Sequence, residues 1–195
     1  HFHAAGGTGY LFRALLTQGL MHADAQVVWG ADFSDYTQEP CERDGALRWQ
    51  QAPTASLDDQ VLRAGDKPFS AEGGLKLLTG NLGRSVIKTS AVALDRRLIT
   101  GPAVVIEHQD ELDALFAAGD LNQDCVVVVR GQGPKANGMP ELHKLTPFLG
   151  ALQDQGYRVA LVTDGRMSGA SGKVPAAIHL TPEALDGGLI GRIQN

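Results

Sequence analysis

The chain has 195 residues, 43 % of them hydrophobic, and a net charge of −5 with both signs interspersed. That length can bury a real core in one domain, or in one domain plus part of another. The acidic balance argues against nucleic acid and anionic membrane as partners, and leaves room for a small anion held by local Lys and Arg. No apolar run is long enough to span a bilayer, and no stretch has the pattern of a signal peptide.

In chain order, residues 8–21 read as a helix with Thr8 as N-cap and Gly19 near its end. Apolar residues cover most of its circumference, so it is expected to be buried in a larger body. The start at His1-Phe-His3 and the stop at Gly191-Arg-Ile-Gln-Asn195 both look cut, and a segment of a longer polypeptide is expected. His1 and His3, at i, i+2 spacing, read either as ordinary side chains or as a pair able to bind a metal. Residues 30–60 read as a polar connector with at most short strands, such as 46–49. Its acidic residues, Asp32, Asp35, Glu39, Glu42 and Asp44, read as solvated surface. Cys41 follows Pro40 in this loop.

Residues 75–79 and 85–92 read as strands joined by the turn Gly80-Asn-Leu-Gly83. Lys88 in the second is either an exposed edge lysine or an anion ligand. Residues 103–106 and 125–129 read as buried strands, with Cys125 as a small buried hydrophobe. Between them, residues 109–118 form a short helix with Asp110 and Glu111 at its positive end. Two cysteines cannot supply a four-thiolate site by themselves, and a reduced cytoplasmic setting is the expectation.

A polar loop then runs from Arg130 to Lys144. Pro140 suits the first turn of a helix carrying Leu142, Leu145, Phe148, Leu149 and Leu152, and Pro147 either kinks that helix or sets its start. Glu141 falls at the helix N-terminus, either as a cap or as the holder of a cation. Residues 159–162 read as a fully buried strand ending in a second polar loop, Asp164 to Pro175. Ligands of α/β proteins often sit just past such strand ends. Gly165, Gly169 and Gly172 allow close backbone approach, and Asp164, Arg166, Ser168, Ser171 and Lys173 would surround the ligand. The loop is not a P-loop, because Met167 and Val174 stand where Gly and Ser or Thr are required. Nor is it a Ser-x-x-Lys site, because Ala170 holds the serine position. Residues 177–180 read as a strand, Thr181-Pro-Glu183 as the start of a helical turn, and 189–193 as the start of another strand.

From pattern alone the fold class is α/β, with several buried strands and two or three helices. At the polar loops the chain resembles the iron–sulfur dehydratases of hydroxy acids. The residues that carry the resemblance are His3-Ala-Ala-Gly-Gly7, Gly73-Gly74, Gly80-Asn-Leu-Gly83, Lys88-Thr-Ser-Ala-Val92, Gly133-Pro-Lys135, Gly138-Met-Pro-Glu141, Thr163-Asp-Gly-Arg-Met-Ser-Gly169 and His179-Leu-Thr-Pro-Glu183. They extend over nearly the whole chain in the family's order. Within the family, the loops 135–144 and 168–175 look like the phosphogluconate branch.

The resemblance implies a mixed β-barrel flanked by helices, a swivelling-type C-terminal domain over 60–195 that is truncated at its C-terminus. Residues 1–59 would be the tail of an N-terminal α/β cluster-binding domain and its connector. The implied reaction is dehydration of 6-phospho-D-gluconate to 2-dehydro-3-deoxy-6-phospho-D-gluconate, in the Entner–Doudoroff route. The implied cofactors are a [4Fe-4S] cluster, bound by a part outside this chain, and Mg2+, whose use in this branch is left open. Ser168 aligns with the family's proposed serine base and Glu141 with a glutamate that helps hold Mg2+. Arg166 and Lys173 would favour the serine alkoxide. Lys173, Lys135, Lys144 and Lys88 are candidates for the substrate phosphate and carboxylate, with Arg166 and Ser171 beside them. Ser171 would replace the hydroxyl that sugar-acid relatives carry where Ala170 stands. Neither Cys41 nor Cys125 matches the cluster cysteines, so the segment alone is expected to be inactive. The expected protein is a cytoplasmic homodimer acting on a phosphorylated sugar acid, with no nucleic acid or membrane partner. The alternatives are a dehydratase of another sugar acid or dihydroxy acid, a non-catalytic phosphosugar-binding module, and a dimerisation domain.

Overall fold

A computed structural model describes residues 1–30, 32–167 and 173–195. The chain divides into two compact units, His1–Glu72 and Gly73–Asn195.

In the first unit, helix α1 spans Gly7–Thr17. It starts after Gly6, and Thr8 lies inside its first turn rather than capping it. It stops short of residue 21 because Gly19 turns left-handed (φ +69°) and the Leu20 N–H returns to the Leu15 carbonyl, a glycine-terminated helix end. Tyr10 is buried, while Leu11, Leu15 and Leu16 are only half-buried, less enclosed than an apolar circumference predicts. Strands β1 (Gln38–Arg43) and β2 (Ala46–Gln51) form an antiparallel hairpin; the short strand expected at 46–49 lies within β2, and β1 stands where only connector was expected. Asp44 and Gly45 both have positive φ, +54° and +74°, which a tight two-residue hairpin turn requires and an Asp-Gly pair supplies. Cys41 therefore lies in a strand, not a loop. Arg13 of α1 ties the helix to this hairpin by donating to the carbonyls of Thr37 and Ala52 and to Gln51 Oε1.

In the second unit, β3 (Leu75–Gly80) and β4 (Gly83–Lys88) form a hairpin around Asn81-Leu82. There follow β5 (Ala103–Ile106), α2 (Glu111–Ala118), β6 (Cys125–Val129), a one-turn α3 (Pro134–Asn137), α4 (Leu145–Asp154), β7 (Val159–Thr163) and β8 (Ala176–Thr181). One six-stranded sheet has the order β3-β4-β8-β7-β6-β5; β5 to β8 are parallel, and β3 and β4 antiparallel. The fold is thus a mixed sheet with helices packed on it. Among the described residues the outer strands β3 and β5 do not pair with each other, so a closed barrel is not seen. Lys88 is not on an edge strand: β4 is interior, and Lys88 is exposed because it ends the strand.

The run 125–129 is apolar throughout because both faces of β6 are covered. Cys125, Val127 and Val129 face one cluster with Leu112, Leu142, Leu145, Leu149 and Leu152, while Val128 faces another with Leu180 and Ile190. Helix α4 begins at Leu145 rather than Pro140, with Pro147 in its first turn, where a missing N–H costs nothing. Glu141 accordingly does not sit at a helix N-terminus. Residues 189–193 form no strand: Leu189–Arg192 make a 3-10 turn that buries Ile190 against the second cluster. After β8, residues 184–187 form the expected single turn, with the Asp186 N–H donating to the Glu183 carbonyl.

Leu149 is 1 % exposed and Leu94 78 %. Leu149→Ala is expected to destabilise by about 2–5 kcal/mol, and Leu94→Ala by less than about 0.5 kcal/mol; urea unfolding of the two variants beside the parent chain measures both.

Candidate active site

Because β5, β6, β7 and β8 are parallel, the loops that leave β6 and β7 emerge at the same end of the sheet, and β8 ends there too. Asp164, the first residue after β7, is 1 % exposed and is not a solvent-facing ligand. Its Oδ1 accepts from the Gln132 N–H (2.9 Å); its Oδ2 accepts from the N–H groups of Gly131 (3.2 Å) and Ala184 (2.9 Å). Glu183, buried after β8, accepts from the backbone N–H groups of Lys135 and Ala136 in the first turn of α3, the nearest at 3.1 Å. Gly133 lies so close to Glu183 that a Cβ there would overlap the carboxylate. A Cβ on Gly165 would come within 2.7 Å of Gln132 Cβ.

Two candidate residues meet on this platform. Arg166 Nη1 donates to Glu141 Oε2 at 2.9 Å, and Arg166 Nε to the Met139 carbonyl at 2.8 Å. Backbone pairing of Glu141 with Arg166 as a parallel bridge fixes the two chains alongside each other. Met139 (φ +54°) and His179 (φ +55°) are both left-handed without being glycine. Each touches this loop: Met139 through its carbonyl on Arg166, His179 through its N–H on the Gly165 carbonyl at 2.9 Å. Such conformations carry about 1–3 kcal/mol of strain and cluster at functional sites.

The other cations divide between the two ends of the sheet. Lys135 in α3 pairs with Asp186 (2.6 Å), and Lys144, just before α4, with Asp110 (3.5 Å); both are at the Arg166 end. Lys173 precedes β8 and pairs with Asp154 at the foot of α4, and the end of β4 brings Lys88 to the start of β8. Both therefore lie by the start of β8, whereas Arg166 follows Gly165, whose carbonyl is reached by His179 further along that strand. Ser168 and Ser171 lie outside the described residues. Sequence reasoning missed the carboxylates Glu183 and Asp186 as partners of the first polar loop, and it took Asp164 for a ligand. The only signal for Asp164 is its place directly after a buried strand; nothing local marks Glu183 or Asp186.

The cysteines do not fit a [4Fe-4S] cluster. Cys125 is buried in the apolar core, where desolvation pushes its thiol pKa up, the reverse of what a thiolate ligand needs. Among the described residues no three His, Cys, Asp or Glu side chains come together to hold a metal ion. Glu141 offers a single carboxylate, one of whose oxygens is on Arg166. No helix among the described residues is long and apolar enough to cross a membrane.

Fold and site together define an α/β unit whose charged groups gather where parallel strands end. The chain belongs to the dihydroxy-acid/6-phosphogluconate dehydratase family, whose C-terminal part residues 60–195 match. Over all 195 residues it is 59 % identical to a phosphogluconate dehydratase of Pseudomonas aeruginosa and 56 % identical to one of Escherichia coli K12, covering 32 % of each. A dihydroxy-acid dehydratase of Wolinella succinogenes is 41 % identical over 141 residues, 71 % of this chain and 25 % of that protein. The chain thus spans about a third of the length of the phosphogluconate dehydratases it matches (32 %).

The hydrogen bond and charge of Asp186 raise the Lys135 pKa above the ordinary 10.5. The pair's contribution to stability is therefore complete below 10.5 and is lost as pH rises through the raised value. Titration of the Lys135 side chain by NMR should give a value above the ordinary 10.5. Asp186→Asn should return it to the ordinary range, and added salt should narrow the difference because the pair is exposed.

Proposed function

We propose that the intact protein dehydrates 6-phospho-D-gluconate to 2-dehydro-3-deoxy-6-phospho-D-gluconate, a hydro-lyase reaction of the Entner–Doudoroff route, and that this segment supplies the base side of its active site. The observation that carries the reading is the likeness to phosphogluconate dehydratases along the entire chain, against a lower identity to a dihydroxy-acid dehydratase over part of it. The meeting of Arg166 with Glu141 at the strand ends supports it, because such a reaction needs a base beside a cation that can hold the substrate carboxylate.

Elimination removes a proton α to the carboxylate and the neighbouring hydroxyl, leaving an enol that tautomerises to the keto acid. Ser168 is assigned the proton. A serine is a weak base, and a cation near it favours the alkoxide; Arg166, two residues earlier, is the candidate. Arg166 is also assigned the substrate carboxylate. Its bonds to Glu141 and Met139 aim the guanidinium before the substrate arrives, which removes an entropic cost from the reaction. Lys135 and Lys144, at the same end, are assigned the phosphate, with Ser171 in the neighbouring loop. Lys173 and Lys88, by the start of β8, are the remaining candidates for the substrate anions.

Two cofactors complete the proposed site. A [4Fe-4S] cluster would be held by residues outside this chain. Mg2+ would have Glu141 as one ligand, with the remainder supplied from elsewhere. On the family resemblance, the unit itself is part of a mixed barrel of swivelling type, and the unpaired sides of β3 and β5 are where closing strands must join. The same resemblance supports a homodimer in the cytoplasm, with a small-molecule substrate and no nucleic acid or membrane partner.

The test uses the full-length protein purified without oxygen. 6-Phosphogluconate is offered beside unphosphorylated gluconate and a branched dihydroxy acid, and keto-acid formation is followed. The phosphorylated acid is expected to be the preferred substrate. Ser168→Ala should lower kcat about 10²–10⁴-fold with the cluster absorbance unchanged. Preference for the dihydroxy acid would move the protein to the other branch of the family, and near-full activity of Ser168→Ala would place the base elsewhere.

A further inference from the structure

Four backbone N–H groups of the Gly-rich loop after β6 point at carboxylates of the chain itself: those of residues 131 and 132 at Asp164, those of 135 and 136 at Glu183. A loop of this kind is ordinarily a cradle for a ligand's phosphate, but here its donors are already taken. Asp164 does more than fill the loop. Its third bond, from the Ala184 N–H, joins the turn after β8 to the loop after β6, and Asp164 is itself the first residue of the loop after β7. One buried carboxylate therefore ties together the three segments that carry Lys135, Glu141, Arg166 and Asp186.

We infer that Asp164 is a positioning residue of the active site: it touches no substrate and sets the placement of Arg166 against Glu141. The inference rests on the function proposed above. The chemistry of the side chain makes it specific. Asp164 takes three N–H donors on two oxygens and has none to offer. An amide of the same size must turn its NH2 toward at least one of those donors, so two hydrogen atoms would meet where one bond was. The segments would then separate while the apolar core, built from other residues, stays packed.

The experiment uses the full-length enzyme with its cluster loaded, and 6-phosphogluconate. Wild-type turnover of this substrate tests the underlying reading, and its absence would sink that reading rather than this one. With an active wild type, Asp164→Asn is expected to raise KM at least tenfold and lower kcat at least tenfold, at unchanged cluster absorbance. The decisive comparison is a cycle with Arg166→Ala. If Asp164 acts by placing Arg166, the double variant is no more than threefold worse in kcat/KM than Arg166→Ala alone. A role in the fold alone predicts that the two losses multiply, and that result overturns the inference. So does a kcat/KM for Asp164→Asn within twofold of wild type. Should Asp164→Asn fail to accumulate as folded holoenzyme, Asp164→Ser, which leaves room for water, is put through the same cycle. Failure of both variants to fold assigns Asp164 to the fold and also overturns the inference.

Discussion

Two buried carboxylates, Asp164 and Glu183, are the constraint on which the site depends. A carboxylate out of water is costly unless hydrogen bonds replace its hydration. Here backbone N–H groups do so, each bond charge-assisted and stronger than a neutral one. Satisfying the carboxylates dictates much of the surrounding sequence. Gly133 is needed because any side chain would run into Glu183, and Gly165 because the chain passes so near Gln132. Pro134 starts α3 and gives up an N–H at a position where no helical bond is lost. Gly133 thus serves the approach of backbone to one of the protein's own acids.

The sheet is what makes such a meeting possible. Residues 131, 164 and 184 are far apart in sequence, and only the parallel order of β6, β7 and β8 brings them to one end. Both faces of these strands are covered, so their register is set by two apolar clusters at once. A one-residue slip would move Val127 and Val129 to the wrong face and separate Asp164 from Gly131 and Gln132. Core packing and site geometry are therefore one specification. The register shift between β4 and β8, where β8 carries one residue more than β4 between the pairs Arg84–Thr181 and Val86–Ile178, and the left-handed His179 lie at this same end, where His179 reaches Gly165.

The strands were legible in the sequence wherever apolar residues ran unbroken. The run 103–106 is a strand over those very residues and 125–129 likewise, because a continuous apolar stretch bounded by polar turns has few other readings. The hairpin of β1 and β2 was not read, although Asp44-Gly45 is the signal for it. The short strand expected at 46–49 is most of β2, while the polar, non-alternating residues before the pair hid β1. Leu189–Ile193 misled in the opposite way, since a short apolar run also suits a plug that buries one isoleucine. Of the site, the pairing of Glu141 with Arg166 was not accessible from sequence. It depends on a backbone bridge between segments twenty-five positions apart (Glu141 to Arg166) and on the φ of Met139, a residue type that gives no hint of a left-handed turn.

Charge at the site follows from this pairing. Arg166, Lys135 and Lys144 each already face a carboxylate of the chain: Glu141, Asp186 and Asp110. An anion of the kind proposed above would therefore meet neutral pairs rather than bare cations, and long-range attraction would contribute little to its binding. What distinguishes the pairs is how firmly each is held. Arg166 is fixed at two points, Glu141 and the Met139 carbonyl. Lys135 is held at its side-chain nitrogen by Asp186 alone among the described bonds, on an exposed stem. Exchanging Asp186 for a phosphate oxygen swaps one charge-assisted bond for another. On the function proposed above, the arginine would discriminate by geometry and the lysine by exchange.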